Sequence, residues 1–543
     1  MEALDWLVIG VFFLALIGII VWVVRQKQND SADYFLGGRD ATWLAIGASI
    51  FASNIGSEHL IGLAGAGASS GMAMAHWEIQ GWMILILGWV FVPFYTRSMV
   101  YTMPEFLERR YNPQSRTILS VISLVSYVLT KVAVTVYAGG LVFQQVFGIK
   151  ELWGIDFFWI AAIGLVVLTA LYTIFGGMKS VLYTSVLQTP ILLLGSLIIL
   201  VLGFKELGGW DEMMRVCGAV TVNNYGDTMT NLIRSNDDAN FPWLGALIGS
   251  AIIGFWYWCT DQFIVQRVLS GKNEMEARRG TIFGAYLKLL PVFLFLIPGM
   301  IAFALHQKYI GAGGEGFLPM LANGTANADA AFPTLVAKLL PAGVKGLVVC
   351  GILAALMSSL ASLFNSSAML FTIDFYKRFR PETPEKKLVG IGQVATVVIV
   401  ILGILWIPIM RSVGDVLYTY LQDVQSVLAP GIAAAFLLGI CWKRTSAQGG
   451  MWGLIAGMVI GLTRLGAKVY YSNAGEVADS TFKYLFYDMN WLFFCGWMFL
   501  FCIIVVIVVS LATKAPTAEK IQGLVFGTAT KEQKAAKIGR AHV

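Results

Sequence analysis

The chain has 543 residues, 57% of them hydrophobic and only 13% Asp, Glu, Lys or Arg, about half the charged share of an ordinary soluble protein. With a mean hydropathy of +0.72, its apolar surface exceeds what a water-facing shell can cover. That excludes a string of soluble domains and predicts a polytopic membrane protein. The net charge of 38 − 32 = +6 is small and scattered, with no basic run interleaved with aromatics, which sets nucleic acid aside.

A hydrocarbon core about 30 Å thick takes roughly 20 apolar residues per helix. Runs of that kind fall near 6–24, 42–68, 74–96, 116–147, 157–175, 180–202, 244–268, 281–305, 344–371, 388–409, 417–441, 450–467 and 491–512. Backbone polar groups in lipid must be satisfied internally, so these runs predict helices and an all-α chain. The first run follows acidic residues and lacks a small-residue cleavage site, which reads as a retained helix. Lys and Arg gather in alternate connections, among them Arg97, Arg109, Arg110 and Arg116, then Lys272, Arg278 and Arg279. This bias places the N-terminus outside.

The expected organisation is one transport domain over 1–515 with 13 helices, inverted repeats at about 42–202 and 244–441, and a cytoplasmic tail over 516–543. The last six residues, Ile538 to Val543, read as a translated adapter scar, with a genuine short tail as the other reading. Six cysteines without a CxxC pair and four histidines without ligand spacing predict neither a disulfide scaffold nor a zinc enzyme.

Two spans carry polar and glycine interruptions. The second holds Ser53-Asn54-Ile55-Gly56-Ser57-Glu58-His59, and the seventh holds Gly254-Phe255-Trp256-Tyr257-Trp258-Cys259-Thr260-Asp261-Gln262. Discontinuous helices at matching places of two halves point to a midplane binding site in an inverted-repeat transporter. A glycine packing face is the plainer reading, and it accounts for Gly62, Gly65 and Gly67. It does not account for Asn54, Glu58 and His59.

Ionisable residues inside the membrane are costly and usually functional. Glu78 lies in the third span and Lys288 in the eighth, both deep; Lys131 and Asp423 are open to the reading of side chains near helix ends that reach the interface. A sugar ring both donates and accepts hydrogen bonds, so its site wants a carboxylate, a cationic or imidazole donor, and amides. Glu78, Lys288, His59, Asn54 and Gln422 supply those, and Tyr257 or Trp258 an aromatic platform. In the ninth span Ala355, Ser358 and Ser359 share one helix face. Close packing of small residues is one reading. A sodium site is the other, made of two hydroxyls and backbone carbonyls freed near Ala52 and Ile55.

These segments carry a resemblance. Asp33-Tyr-Phe-Leu-Gly-Gly-Arg39, Phe51 to His59, Tyr101-Thr-Met-Pro-Glu-Phe106, Trp256 to Gln262, Tyr286-Leu-Lys288-Leu-Leu290 and Met357-Ser-Ser-Leu360 resemble the solute:sodium symporter family, specifically its sodium/glucose and sodium/myo-inositol branch, over roughly 30 to 515. The resemblance implies a LeuT-like five-plus-five inverted repeat with extra flanking helices, and secondary active transport by alternating access. It implies sugar contacts at Asn54, His59, Glu78, Lys288 and Gln422, with Tyr257 as an aromatic inner gate beside Trp258. It implies a Na+ site at Ala52, Ile55, Ala355, Ser358 and Ser359.

Two departures refine this expectation. Ser185 stands where relatives that bind a second sodium carry Asp, and Ala361 where they carry a hydroxyl, so one sodium per sugar is expected. Gln425 stands where sugar relatives usually have a small hydroxyl residue. The expected activity is sodium-driven uptake of a hexose such as glucose or galactose, without chemistry, across a bacterial-type cytoplasmic membrane. A sodium/myo-inositol symporter is the near alternative, and a sodium-dependent sugar sensor the distant one.

Overall fold

The computed structural model describes residues 1–26, 30–56, 58–321, 324–413, 417–473 and 478–529, with side chains at all of these positions but 129, 409–413, 417–423 and 473. Among the described residues eleven helical stretches are long and apolar enough to cross a membrane, and Trp43–Asn54 is a shorter apolar helix. The apolar residues Leu14, Val394, Leu405, Trp497 and Leu511 face outward, while Asp261, Glu78, Lys131, Lys288 and Arg267 are buried. That pattern reverses the one water imposes and suits a lipid surround.

The elements used below are α1 (Ala3–Val24), α2 (Trp43–Asn54), α3 (Ala64–Ser70), α4 (Ala75–Ile79), α5 (Pro113–Ser126), α6 (Ala133–Phe147) and α7 (Phe157–Leu207). After a long connection come α8 (Trp243–Gly254), α9 (Gln262–Leu269), α10 (Glu274–Leu287), α11 (Ile297–Gly311) and α12 (Val344–Met369). The last four are α13 (Glu385–Val413), α14 (Leu417–Cys441), α15 (Ala447–Asn473) and α16 (Trp491–Ala512). The only strand pair among the described residues is a two-residue ribbon, Glu151–Leu152 with Ile155–Asp156.

Two backbone breaks organise the interior. Helix α2 ends at Asn54 because Ile55 turns extended (φ −80°, ψ 100°), and the chain resumes as a wide π-type turn over Glu58–Leu63. Helix α8 runs into a π-type turn over Phe255–Thr260, then Asp261 turns extended (φ −76°, ψ 129°) and caps α9 by accepting from the Phe263 N–H.

Helix α7, at 51 residues, would be about 76 Å long if straight, far more than one crossing needs. It turns at Gly177 (φ +53°), where a Cβ would collide with the Tyr34 carbonyl. The runs read from the sequence as 157–175 and 180–202 are thus two helical segments that meet at a kink at Gly177, whose backbone is not helical.

Helix α12 packs along α7 and against α2, and α10 packs along α2. Helices α14, α15 and α16 form a group at the flank, joined to the rest partly through α8.

The glycine-face reading of the second span holds for part of it. Helices α3 and α11 approach so closely that a Cβ at Gly67 would overlap the Leu296 carbonyl, and one at Gly299 the Ala64 carbonyl. Backbone on both sides leaves nothing to yield, so Gly299→Ala is expected to cost about 1–3 kcal/mol. The readout is a lowered unfolding midpoint in detergent; an unchanged midpoint contradicts the contact.

Candidate functional site

The site begins with helix packing. Gly47 and Gly280 let α2 and α10 touch: a Cβ at Gly47 would lie 2.8 Å from the Gly280 carbonyl, and one at Gly280 2.8 Å from the Trp43 carbonyl. This contact carries Lys288, just past the end of α10, to the break in α2. Its stem passes Gly81, just beyond α4, where a Cβ would sit 2.8 Å from Lys288 Cγ.

There Lys288 Nζ lies 2.7 Å from Glu78 Oε2 and 2.8 Å from His59 Nε2, and His59 Nε2 lies 3.3 Å from Glu78 Oε1. Trp258 covers the ammonium, its ring centroid 5.6 Å from Nζ, a cation–π contact. A buried ion pair stabilises little, because desolvation offsets the attraction, but breaking one is costly. The three side chains therefore hold one another in fixed positions.

Asn54, His59, Glu78, Tyr257, Trp258 and Lys288 line one cavity. Asn54 Nδ2 donates to Tyr257 Oη at 3.1 Å, joining the two breaks. The cavity also takes in Glu58, Trp77, Gln80, Ile253 and Gln425, which the sequence reading did not place in the site. Gln80 had a usable signal, two residues beyond Glu78, and Gln425 another, one turn beyond Gln422. The side chain of Gln422 lies outside the described residues, as does that of Asp423.

Asn54 Oδ1, His59 Nδ1 and Gln80 Oε1 are buried without a hydrogen-bond partner among the described residues, each costing about 1–3 kcal/mol if left so. His59 Nε2 faces both the Lys288 ammonium and the Glu78 carboxylate, so the tautomer sets whether the unpartnered Nδ1 donates or accepts. The cavity is about 20 Å³, room for one water and far below the roughly 300 Å³ at which ligand pockets begin. Admitting a ring requires the lining elements to move apart.

A second cluster, made of oxygens, lies on the other side of the same break. Because α2 stops at Asn54, carbonyls in its last turn have no helical N–H to accept from. Ser359 Oγ donates to the Ser53 carbonyl at 2.7 Å and lies 3.4 Å from the Ile55 carbonyl. Ser358 Oγ is 3.3 Å from Ser185 Oγ, and Ser53 Oγ is 2.7 Å from Ser362 Oγ. Ala52 and Ala355 are buried on the facing helices and offer only main-chain oxygen. A set of hydroxyls and carbonyls is what a hard monovalent cation prefers. Ser53, which the expected sodium site did not include, supplies the carbonyl nearest to Ser359. Nearby, Arg267 Nε donates to Ser49 and Ser53 hydroxyls at 3.2 and 3.0 Å.

Lys131 does not reach an interface. It is buried, with Nζ 2.8 Å from Asp261 Oδ2, facing the rings of Tyr257 and Phe263 at 4.6 and 5.0 Å. Tyr127, one turn earlier, donates to the other Asp261 oxygen. The aromatic residue of the cavity thus rests on a buried ion pair that fixes the second break.

A family model described as Sodium:solute symporter family matches residues 34–457. Sodium/myo-inositol cotransporter 2 of Mus musculus is 37% identical over 542 residues, covering 97% of this chain and 80% of that protein. Sodium/glucose cotransporter 4 of Danio rerio is 36% identical over 537 residues, covering 96% of this chain and 80% of that protein. A Na+-coupled sialic acid symporter, solved in a substrate-bound outward-open state, superposes with a TM-score of 0.76 at 21% identity, over 95% of this chain and 99% of that one. That likeness shows the fold, the LeuT-like five-plus-five inverted repeat with flanking helices.

The Lys131–Asp261 pair gives a test of the geometry. Lys131→Met leaves Asp261 buried and uncompensated, and a loss of about 3–5 kcal/mol is expected. Adding Asp261→Asn recovers part of it, measured as unfolding midpoints of the two single variants and the double. A Lys131→Met variant as stable as the parent contradicts the pairing.

Proposed function

We propose that this chain, which belongs to the sodium:solute symporter family and is a sodium-coupled solute symporter of a multi-pass membrane type, takes up a neutral, ring-shaped polyol with one sodium ion per cycle. The observation that carries the reading is the cavity of Glu78, Lys288, His59 and Asn54 beside Tyr257 and Trp258, with polar atoms left unpartnered. Such a set meets hydroxyls that donate and accept, while aromatic rings meet the apolar C–H face. The relatives named for myo-inositol and for glucose suit the same class.

Sodium takes the oxygens at Ser358 and Ser359 and the carbonyls near Ala52, Ile55 and Ala355. Bound there, it ties the loose end of α2 to α12. That fixes Asn54 and His59, which lie on or next to the same break, and so completes the polyol site. The loaded elements then rock, and Tyr257 yields toward the cytoplasm. No bond is made or broken in the cycle.

One ion suffices energetically. A charge moving through 100 mV contributes about 2.3 kcal/mol, and a tenfold gradient about 1.4 kcal/mol. Together they sustain accumulation of roughly a few hundredfold. The hydroxyls of Ser49 and Ser53 accept from the Arg267 guanidinium, and those of Ser185 and Ser362 stand next to them. A second cation among them would meet a fixed positive charge. The membrane is the cell's cytoplasmic membrane.

The test is uptake of labelled myo-inositol, glucose and galactose into proteoliposomes with and without an inward sodium gradient. Sodium-driven accumulation is expected, with Lys288→Ala lowering it at least tenfold, because truncation strands Glu78 at a cost of about 3–5 kcal/mol. Ser359→Ala is expected to raise the sodium concentration for half-maximal uptake about tenfold or more. Absence of sodium-dependent uptake of all three compounds contradicts the reading. The charge-to-solute ratio from reversal potentials is expected to be one; a ratio of two contradicts the stoichiometry.

A further inference from the structure

A groove opens on the outer surface where α12 ends. Past Met369 the chain widens into a π-type turn over Leu370–Tyr376, continues as a short helical turn over Lys377–Phe379, and leaves the helix at Arg380. Polar contacts clamp this end to α5. Arg116 of α5 pairs with Asp374 at 2.7 Å and donates to the Ile373 carbonyl at 3.1 Å, and Arg378 donates to the Thr117 hydroxyl at 2.6 Å. With those groups turned to α5, Phe371, Phe375 and Phe379 form an outward stripe at a spacing of four. The first two rings stack with centroids 6.4 Å apart. The stripe, with Leu124 of α5 and Tyr376, lines a groove of about 420 Å³, and Arg380 lines it too.

Two chemistries meet in this groove. Phe371 and Phe379 leave 40% and 80% of their surface uncovered, apolar area that an acyl chain covers and a headgroup does not. The exposed Arg380 side chain has no hydrogen bond, ion pair or ring contact among the described residues. Its planar fork of N–H donors matches a phosphate. The connection over 377–387 carries five Lys or Arg against Glu382 and Glu385. Such an excess marks the cytoplasmic side, where the leaflet holds anionic lipid.

We propose that the groove binds an anionic phospholipid of the cytoplasmic leaflet, its phosphate on Arg380 and one acyl chain along Phe371, Phe375 and Phe379. A zwitterionic lipid brings its own cation to the arginine and gains less there. A soluble phosphate has no chain for the stripe. The site is separate from the cavity of Glu78 and Lys288, and it stands whichever solute is carried.

Full-length protein in detergent is titrated with phosphatidylglycerol and with phosphatidylcholine of the same acyl chains, and bound lipid is counted by native mass spectrometry. Wild type is expected to bind phosphatidylglycerol about tenfold more tightly. Arg380→Gln is expected to remove that preference, the size of a lost charge-assisted hydrogen bond. Lys386→Gln, on the same connection but outside the groove, is expected to keep it. Phe379→Ala is expected to weaken both lipids about fivefold, through lost apolar contact. The wild-type protein gives a second reading that needs no variant: phosphatidylglycerol with a photoactivatable acyl chain is expected to cross-link mainly to residues 371–380.

Equal affinity of wild type for the two lipids overturns the proposal. So does a preference that falls as far in Lys386→Gln as in Arg380→Gln, which would mark attraction to the basic surface at large. Inorganic phosphate that displaces the lipid at equal concentration overturns it by making the chain irrelevant. Cross-links spread evenly over the outward-facing helices overturn it as well.

Discussion

Everything in the interior follows from one constraint: α2 cannot continue past Asn54. A helix that stops inside an apolar body leaves main-chain oxygens needing donors or a cation, and such irregular backbone is tolerated only where protein or a lined cavity receives it. Here both solutions meet at one place. On one side Ser359 reaches the Ser53 and Ile55 carbonyls. On the other, Asn54, Glu58 and His59 enter the cavity. On the proposed reading, ion and solute are served by a few consecutive residues of one stretch of backbone. No long pathway is needed to couple them.

The buried charges serve that geometry more than stability. Lys288 with Glu78, Lys131 with Asp261 and Arg116 with Asp374 pair at 2.7, 2.8 and 2.7 Å. Each pays in desolvation nearly what it returns in attraction. What each fixes is a position. The first sets the polar wall of the cavity, and the second sets the break beneath Tyr257. The close glycine contacts between α2 and α10 act at the same level, since Lys288 reaches the break only because Gly47 and Gly280 allow it.

Much of this was legible in the sequence, for physical reasons. Long apolar runs declare helices in a membrane, and glycine with polar residues inside such runs declares breaks. A deep Glu or Lys declares either a site or a buried ion pair, because one of the two must offset its desolvation. Asn54, His59, Glu78, Tyr257, Trp258 and Lys288 were found in that way, and they line one cavity. What stayed hidden depends on distant packing. Lys131 reads alone as a side chain near a helix end, and its partner stands 130 residues away. Gln80 looks like a polar residue tolerated near a helix surface until the helices are assembled. Which carbonyl of the broken turn faces Ser359, that of Ser53, depends on how the two helices pack.

The central claim is that ion and solute share the break, and thermodynamic linkage tests it most directly. Equilibrium binding of the transported polyol to purified protein is to be measured with sodium and with an inert cation, and sodium binding with and without the polyol. The account predicts that sodium tightens polyol binding about tenfold or more, and that the polyol tightens sodium binding by the same factor, as reciprocity demands. Polyol affinity indifferent to sodium in the intact protein would contradict it.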